Sequence, residues 1–191
     1  MAPSDLPLAA LRVEDAETIA VLQNSLWRLT YAGLLPPEVL AARDDQTNIG
    51  VWRDRAAAHE SAGVSPEGAR TLVAHDERGT AIAWATTGPP RDANPPTTIE
   101  LWSLYVAPEH HGCGVALRLL AAVLPSSAAA HLWVVRGNDR AIAFYRKAGF
   151  APDGALKHDE RLGADELRMV RGISQRGAPG SRGWDSGSPS P

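Results

Sequence analysis

One cysteine, Cys113, stands in a chain of 191 residues. A lone thiol closes no internal disulfide, and without a cysteine partner it makes a poor zinc site, so the fold must rest on a hydrophobic core. Long apolar runs are missing as well. The longest, over 117–132, is interrupted by Arg118, Pro125, Ser126 and Ser127, and nothing near Met1 joins a basic stretch to an apolar one. A cytoplasmic protein with no membrane partner is therefore the expectation. Nor does one sign of charge dominate: 19 basic against 22 acidic residues leave a formal charge of -3, with the arginines and lysines scattered. Phosphate backbones reward clustered Lys and Arg, so no nucleic-acid partner is expected. Solenoid, coiled-coil and collagen repeats are absent.

What is present suits one well-buried α/β domain. Hydrophobic residues make up 44% of the chain, and this length is comfortable for one core but not for two. The domain is expected to span 1–172. From Ile173 onward Gly, Ser and Pro dominate around a lone Trp184, so a flexible tail is expected over 173–191. Leu8, Leu11 and Val13 suggest a short first strand. Ile19, Leu22, Leu26 and Leu29 then recur at helical spacing from about Asp15 to Thr30. Gly33 breaks that helix, Pro37 suits the first turn of another, and a further short helix is expected over 48–59.

The period then changes to two. Segments 71–75 and 81–87, joined through Asp76 and Gly79, read as an antiparallel hairpin. A loop with four prolines, 88–96, leads into a central strand over 97–106. Along it Glu100, Trp102, Leu104 and Val106 start on one face, and Leu101, Ser103 and Tyr105 on the other. Later strands are expected over 130–135, 151–158 and 164–170, with an amphipathic helix from about Asn138 to Ala148 that Gly149 ends.

One stretch invites a ligand. Leu104, Tyr105 and Val106 end the central strand, Gly112 and Gly114 punctuate a short loop, and Val115, Leu119, Leu120 and Val123 form the apolar stripe of a helix. Glycines let a ligand approach without meeting a Cβ, while the first free N–H groups of a helix converge on one point. Such a point suits phosphate. Taken alone, a glycine turn serves equally well to join a strand to a helix. Trp27 and Tyr31, four residues apart, read first as a buried helix face.

Three stretches in order, 99–104, 105–120 and 138–150, resemble the GCN5-related N-acetyltransferase (GNAT) superfamily, whose cofactor loop reads Arg/Gln-x-x-Gly-x-Gly/Ala. His111, Gly114 and Ala116 stand at its positions, and the likeness covers roughly Arg70 to Arg171. The wording of 27–36 also resembles the opening of many bacterial GNAT proteins. The resemblance implies an α/β (α+β) GNAT fold, a mixed and mostly antiparallel sheet of six to seven strands with about four helices. It implies acetyl-CoA as co-substrate, its pyrophosphate on the N–H groups of His111, Gly112, Cys113, Gly114, Val115 and Ala116, and its pantetheine along Leu104, Tyr105 and Val106. A β-bulge is expected there, turning the N–H of Tyr105 or Val106 toward the thioester carbonyl. Asn138 would bond the pantetheine arm, and Tyr145 would both meet the cofactor and protonate the leaving thiolate.

By the same resemblance Glu100, six residues before Val106, would take the proton of the attacking amine, since amine pKa values near about 10 leave little free nucleophile. Where the rival arrangement puts a carboxylate on the fifth strand this chain has Trp133 and Val134, leaving His131 or the acids of the C-terminal hairpin as substitutes. Trp27 and Tyr31 would wall the acceptor pocket. No metal is implied, because His110 and His111 have no carboxylate or Cys cluster beside them. Imidazole at His111 carries less constant charge than the usual guanidinium, so a modest grip on the cofactor is expected. The implied activity is direct acetyl transfer to a primary amine of a small molecule or protein through a ternary complex. A catalytically silent acyl-CoA-binding sensor is the alternative. A homodimer through the C-terminal strands also fits the resemblance.

Overall fold

The described residues form seven strands: β1 (Leu8–Ala10), β2 (Arg70–His75), β3 (Ala81–Gly88), β4 (Glu100–Val106), β5 (Ala130–Val135), β6 (Ala151–Asp159) and β7 (Ala164–Arg171). In the computed structural model, which describes residues 6–172, they form one mixed sheet in the order β1-β2-β3-β4-β5-β7-β6. Only β4 and β5 run parallel; every other neighbouring pair is antiparallel. The tail expected beyond Ile173 lies outside the described residues.

Among the described residues five α-helices cover the sheet: α1 (Ala16–Thr30), α2 (Pro37–Ala41), α3 (Asp45–Ala62), α4 (Val115–Val123) and α5 (Asp139–Lys147). On one face, Leu119 and Leu120 of α4 and Ile142 and Tyr145 of α5 pack on Ala83, Ala85, Leu101, Leu132 and Met169. On the other, Ile19 and Ala20 of α1 meet Trp52 and Ala56 of α3 over Val73 and Trp84. Burying a large apolar side chain contributes about 1.5–3 kcal/mol, so these two layers dominate the stability of the fold. Among the described residues no helix is long and apolar enough to cross a membrane.

Local chemistry explains where the element bounds differ from expectation. The first strand stops at Ala10, because Asp15 accepts the amide of Arg12 at 3.0 Å and the ring N–H of His75 at 2.7 Å, drawing Val13–Asp15 into a 3₁₀ turn. Helix α3 is longer than the expected 48–59. The Asp44 carboxylate accepts the Thr47 amide at 2.6 Å and so starts the helix early, and Gly63 ends it at φ 74°.

The bulge in β4 lies nearer the strand's start than expected. Thr86 faces Ser103 while the adjacent Thr87 faces Leu101, leaving Trp102 as the extra residue. The simple alternation therefore fails across it. Leu101 shares the α4–α5 face with Leu104 and Val106, and Glu100 is turned to the face of Ser103 and Tyr105.

Candidate functional site

Parallel β4 and β5 meet at one register pair, Glu100 with His131, backed by the His131 amide donating to the Ile99 carbonyl at 3.1 Å. Past that pair they part. A cleft of about 1300 Å³ fills the gap, bounded by both strands, the elbow between α1 and α2, the start of α4, and α5. Ala107 donates its amide across to Ile82 at 2.8 Å, so strand alternation turns the N–H groups of Leu104 and Val106 away from β3 and toward the gap. Of the two amides expected to matter, Val106's faces the opening and Tyr105's faces β3. The Val106 carbonyl accepts a ring N–H of His111 at 3.0 Å.

Gly112 and Gly114 stand at φ 80° and 86°, and an added Cβ at either would meet nothing within 4 Å. What they supply is the left-handed backbone, with open space beside it. The amides of His110 and His111 are spent on the carbonyls of Ala107 and Pro108 at 3.0 and 3.1 Å, and the Arg118 amide donates to the Gly114 carbonyl at 3.2 Å as α4 begins. The amides between these, Gly112 to Leu117, are the set without an intrahelical acceptor. Cys113 turns its thiol onto the His110 carbonyl at 2.9 Å and does not line the cleft.

On α5, Asn138 caps the helix with its side-chain oxygen on the Ala141 amide at 3.2 Å, which leaves its NH₂ group for another partner. Tyr145 follows two turns later, buried, edge-on to Phe144 and Phe150 at 5.4 and 5.9 Å. Burial, with Tyr105 nearby, pushes its phenol well above the usual value, so it keeps its proton at neutral pH. Both side chains line the cleft, as do Leu104, Tyr105, Val106, His111, Gly112, Gly114, Val115 and Ala116.

The other half of the cleft is aromatic. Trp27 donates its indole N–H to the Tyr105 hydroxyl at 2.8 Å, packs edge-on to Tyr31 at 5.1 Å, and carries the Arg43 guanidinium 3.8 Å from its ring centre. Burial raises the Tyr31 phenol too, with Tyr105, Tyr145 and Glu166 adding to the effect. Across from them, Trp133 holds the Lys157 ammonium 4.1 Å from its ring and donates to Asp92 at 2.8 Å. Glu166, the register partner of Val135, lines the cleft within 3.4 Å of Lys157, and burial pushes its carboxyl above the usual range. The sequence had named the hairpin acids only as a group, and Arg91, Trp133 and Lys157 not at all as cleft residues. The alternation Glu166, Arg168 along β7 was visible, but not which face would look into a cleft.

Glu100 lies elsewhere than expected. Instead of standing at a rim it is 0% exposed and does not line the cleft. The bulge turns it beneath the proline loop, where its oxygens accept the Arg91 backbone N–H at 2.8 Å, Nε at 3.0 Å and a terminal guanidinium nitrogen. The outer side of Arg91 rests 5.0 Å from the Trp102 ring centre and reaches the cleft. His131 is equally buried, bonded through Nδ1 to the Thr97 hydroxyl at 2.8 Å, with Nε2 unpartnered 3.5 Å from Asp92 and 3.9 Å from Glu100. Burial lowers its pKa, which favours the neutral ring.

Residues 28–150 match the acetyltransferase (GNAT) family. The uncharacterized N-acetyltransferase Rv2669 of Mycobacterium tuberculosis is 31% identical over 165 residues, 82% of this chain and 97% of its own length. A probable N-acetyltransferase of the same organism, Rv2775, is 28% identical over 156 residues, 81% of this chain and 84% of its own. Among solved structures, the PaiA N-acetyltransferase of Thermoplasma acidophilum in complex with coenzyme A is similar at a TM-score of 0.68 and 21% identity, covering 88% of this chain and 99% of that one. A phosphinothricin acetyltransferase of Sinorhizobium meliloti in complex with acetyl-CoA is similar at 0.60 and 21%, covering 91% and 89%.

Proposed function

The chain belongs to the GNAT acetyltransferase family, and from its cleft we propose that it is an acetyl-CoA-dependent N-acetyltransferase that moves the acetyl group directly to a primary amine. The carrying observation is that the glycine loop, the free Val106 amide, Asn138 and Tyr145 all border one continuous opening. The residues fit the co-substrate. Left-handed glycines beside open space suit a pyrophosphate on backbone N–H groups, and the parted strands leave Leu104 and Val106 as unpaired edges for an amide-bearing arm. Bound there, acetyl-CoA supplies an activated acyl group.

The chain's own groups do the rest. Val106 offers its N–H where charge would gather on the thioester oxygen. The Asn138 NH₂ group orients the arm. Tyr145, its phenol kept protonated by burial, is suited to give a proton to a departing thiolate. Trp27 and Tyr31 wall the side from which an amine would approach.

The test is thiol release from acetyl-CoA against a panel of amines, amino acids, aminoglycosides and peptides, with calorimetric cofactor binding on the same sample. Turnover that depends on one amine and falls about 10²–10⁴-fold in Tyr145→Phe, with cofactor binding kept, is the expected result. Equal turnover in Tyr145→Phe would remove Tyr145 from the chemistry. Binding without turnover on any acceptor would favour an acyl-CoA sensor.

A further inference from the structure

Building on that acetyl-transfer reading, we propose that Glu166 on β7 is the group that takes the proton from the acceptor amine. The cleft offers few candidates. Glu100 is sealed under the proline loop with its oxygens on Arg91. Of the carboxylates that do line the cleft, Glu38 is exposed on α2, and Asp44 is exposed and occupied with the Thr47 amide at the start of α3. Asp159 is bound by Arg161 at 3.0 Å and by the Arg161 amide at 2.9 Å, which hold it below the usual carboxylate range. Glu166 remains, with a side chain only 12% exposed.

Its position suits the task. Glu166 pairs with Val135, three residues before Asn138, so it stands one strand beyond β5, the far border of the gap, and on the face opposite the α4–α5 layer. Tyr31, at the elbow, Tyr145 and Glu166 all line the cleft. A proton donor and a proton acceptor therefore border the same opening.

The surroundings set its proton affinity. Lys157 of β6, 3.4 Å away, and Arg91 of the proline loop favour the charged form, while Asp159 at the end of β6 and burial oppose it; burial is the largest effect, and the carboxyl is pushed up. Tyr31 faces it as a neutral phenol, and Arg168, two residues along β7, is held by Asp153 at 2.8 Å and Asp92 at 3.9 Å. A carboxylate raised toward working pH is a better base than one left in water.

In the step that follows, the Glu166 carboxylate accepts the amine proton as the nitrogen forms its bond to the acetyl carbon. The carbon–sulfur bond breaks with its electron pair on sulfur, and Tyr145 gives that sulfur its proton. Glu166 then loses its proton to solvent at the cleft mouth and Tyr145 regains one. The products are an N-acetyl amide and the free thiol of coenzyme A.

The experiment is thiol-release kinetics between pH 5.5 and 9.5, with two acceptors of different basicity found by the amine panel. Glu166→Gln is expected to lower kcat by about 10²–10⁴-fold while acetyl-CoA affinity by calorimetry stays unchanged. The acid limb of the kcat profile that stays in place across both acceptors should vanish in Glu166→Gln and persist in Glu100→Gln and Glu166→Asp. Formate should restore part of the turnover of Glu166→Ala, which a structural role would not allow. A wild type that turns over beside a Glu166→Gln variant within a few-fold of it, limb intact, overturns this inference alone. A wild type that binds acetyl-CoA and releases no thiol with any amine overturns the transferase reading, and this inference with it.

Discussion

Replacing Glu100 by Gln separates two roles that the sequence could not. The carboxylate is 0% exposed and receives three N–H groups of Arg91. Breaking a buried ion pair from one side costs about 3–5 kcal/mol. Here the cost is smaller, because the Arg91 side chain is 51% exposed and can turn to water, and because a glutamine oxygen can still accept the backbone N–H. A loss of about 2 kcal/mol is expected, between a charged hydrogen bond and a fully broken pair. For a domain of this size that lowers Tm by about 4–8 °C. Denaturant unfolding reads the stability directly. Trypsin reads the loop, since the bond after Arg91 becomes cleavable once the guanidinium leaves Glu100, and cleavage there should speed up relative to the exposed Arg78 site. Unchanged stability, within about 0.5 kcal/mol, with unchanged cleavage after Arg91 would refute the anchoring argument. If turnover collapsed at the same time, Glu100 would regain its place as the base.

Gly114→Ala puts a Cβ on a residue at φ 86°, so it should cost about 1–2 kcal/mol and weaken acetyl-CoA binding by calorimetry; wild-type affinity would take the loop out of the cofactor site. Asn138→Ala should lose about 1 kcal/mol of helix capping and cofactor affinity together, whereas Asn138→Ser should recover the stability and not the affinity, as urea midpoints and calorimetry on the same samples would tell. Glu166 has a raised carboxyl, so its native form holds a proton more tightly than the unfolded chain does. The stability tied to that proton is present below the unfolded value of about 4.3 and is lost as pH rises through the folded one. Glu166→Gln should therefore be more stable than wild type at pH 8, with the gap closing near pH 4; a gap that widens toward acid would contradict the sign.

Much of the fold was legible because its determinants are local. Period-two runs marked β2, β3, β5 and β7, and the helical stripes of α1, α4 and α5 fell close to where they form. The glycine loop was equally plain, since left-handed φ at Gly112 and Gly114 is a local demand. Helix α3 was read short because its start depends on one capping contact, Asp44 to Thr47, ahead of the apolar residues. The face of Glu100 was misread for a different reason. A bulge is one extra residue, and a single strand seen by itself carries no mark of the register against its neighbour.

By itself, then, the sequence determined an α/β core, the order of its elements, and the loop, Asn138 and Tyr145 that border one side of the cleft. These rest on side-chain period, on glycine's backbone freedom and on contacts between near neighbours in the chain. The opposite side of the cleft was decided largely by tertiary structure. Arg91, Trp133, Lys157 and Glu166 come from four separate stretches. What brings them to one opening is the β5-β7-β6 order, the parting of β4 from β5 and the bulge at Trp102. Whether a carboxylate there is clamped like Glu100 or raised by burial like Glu166 depends on which neighbours the folded chain sets against it.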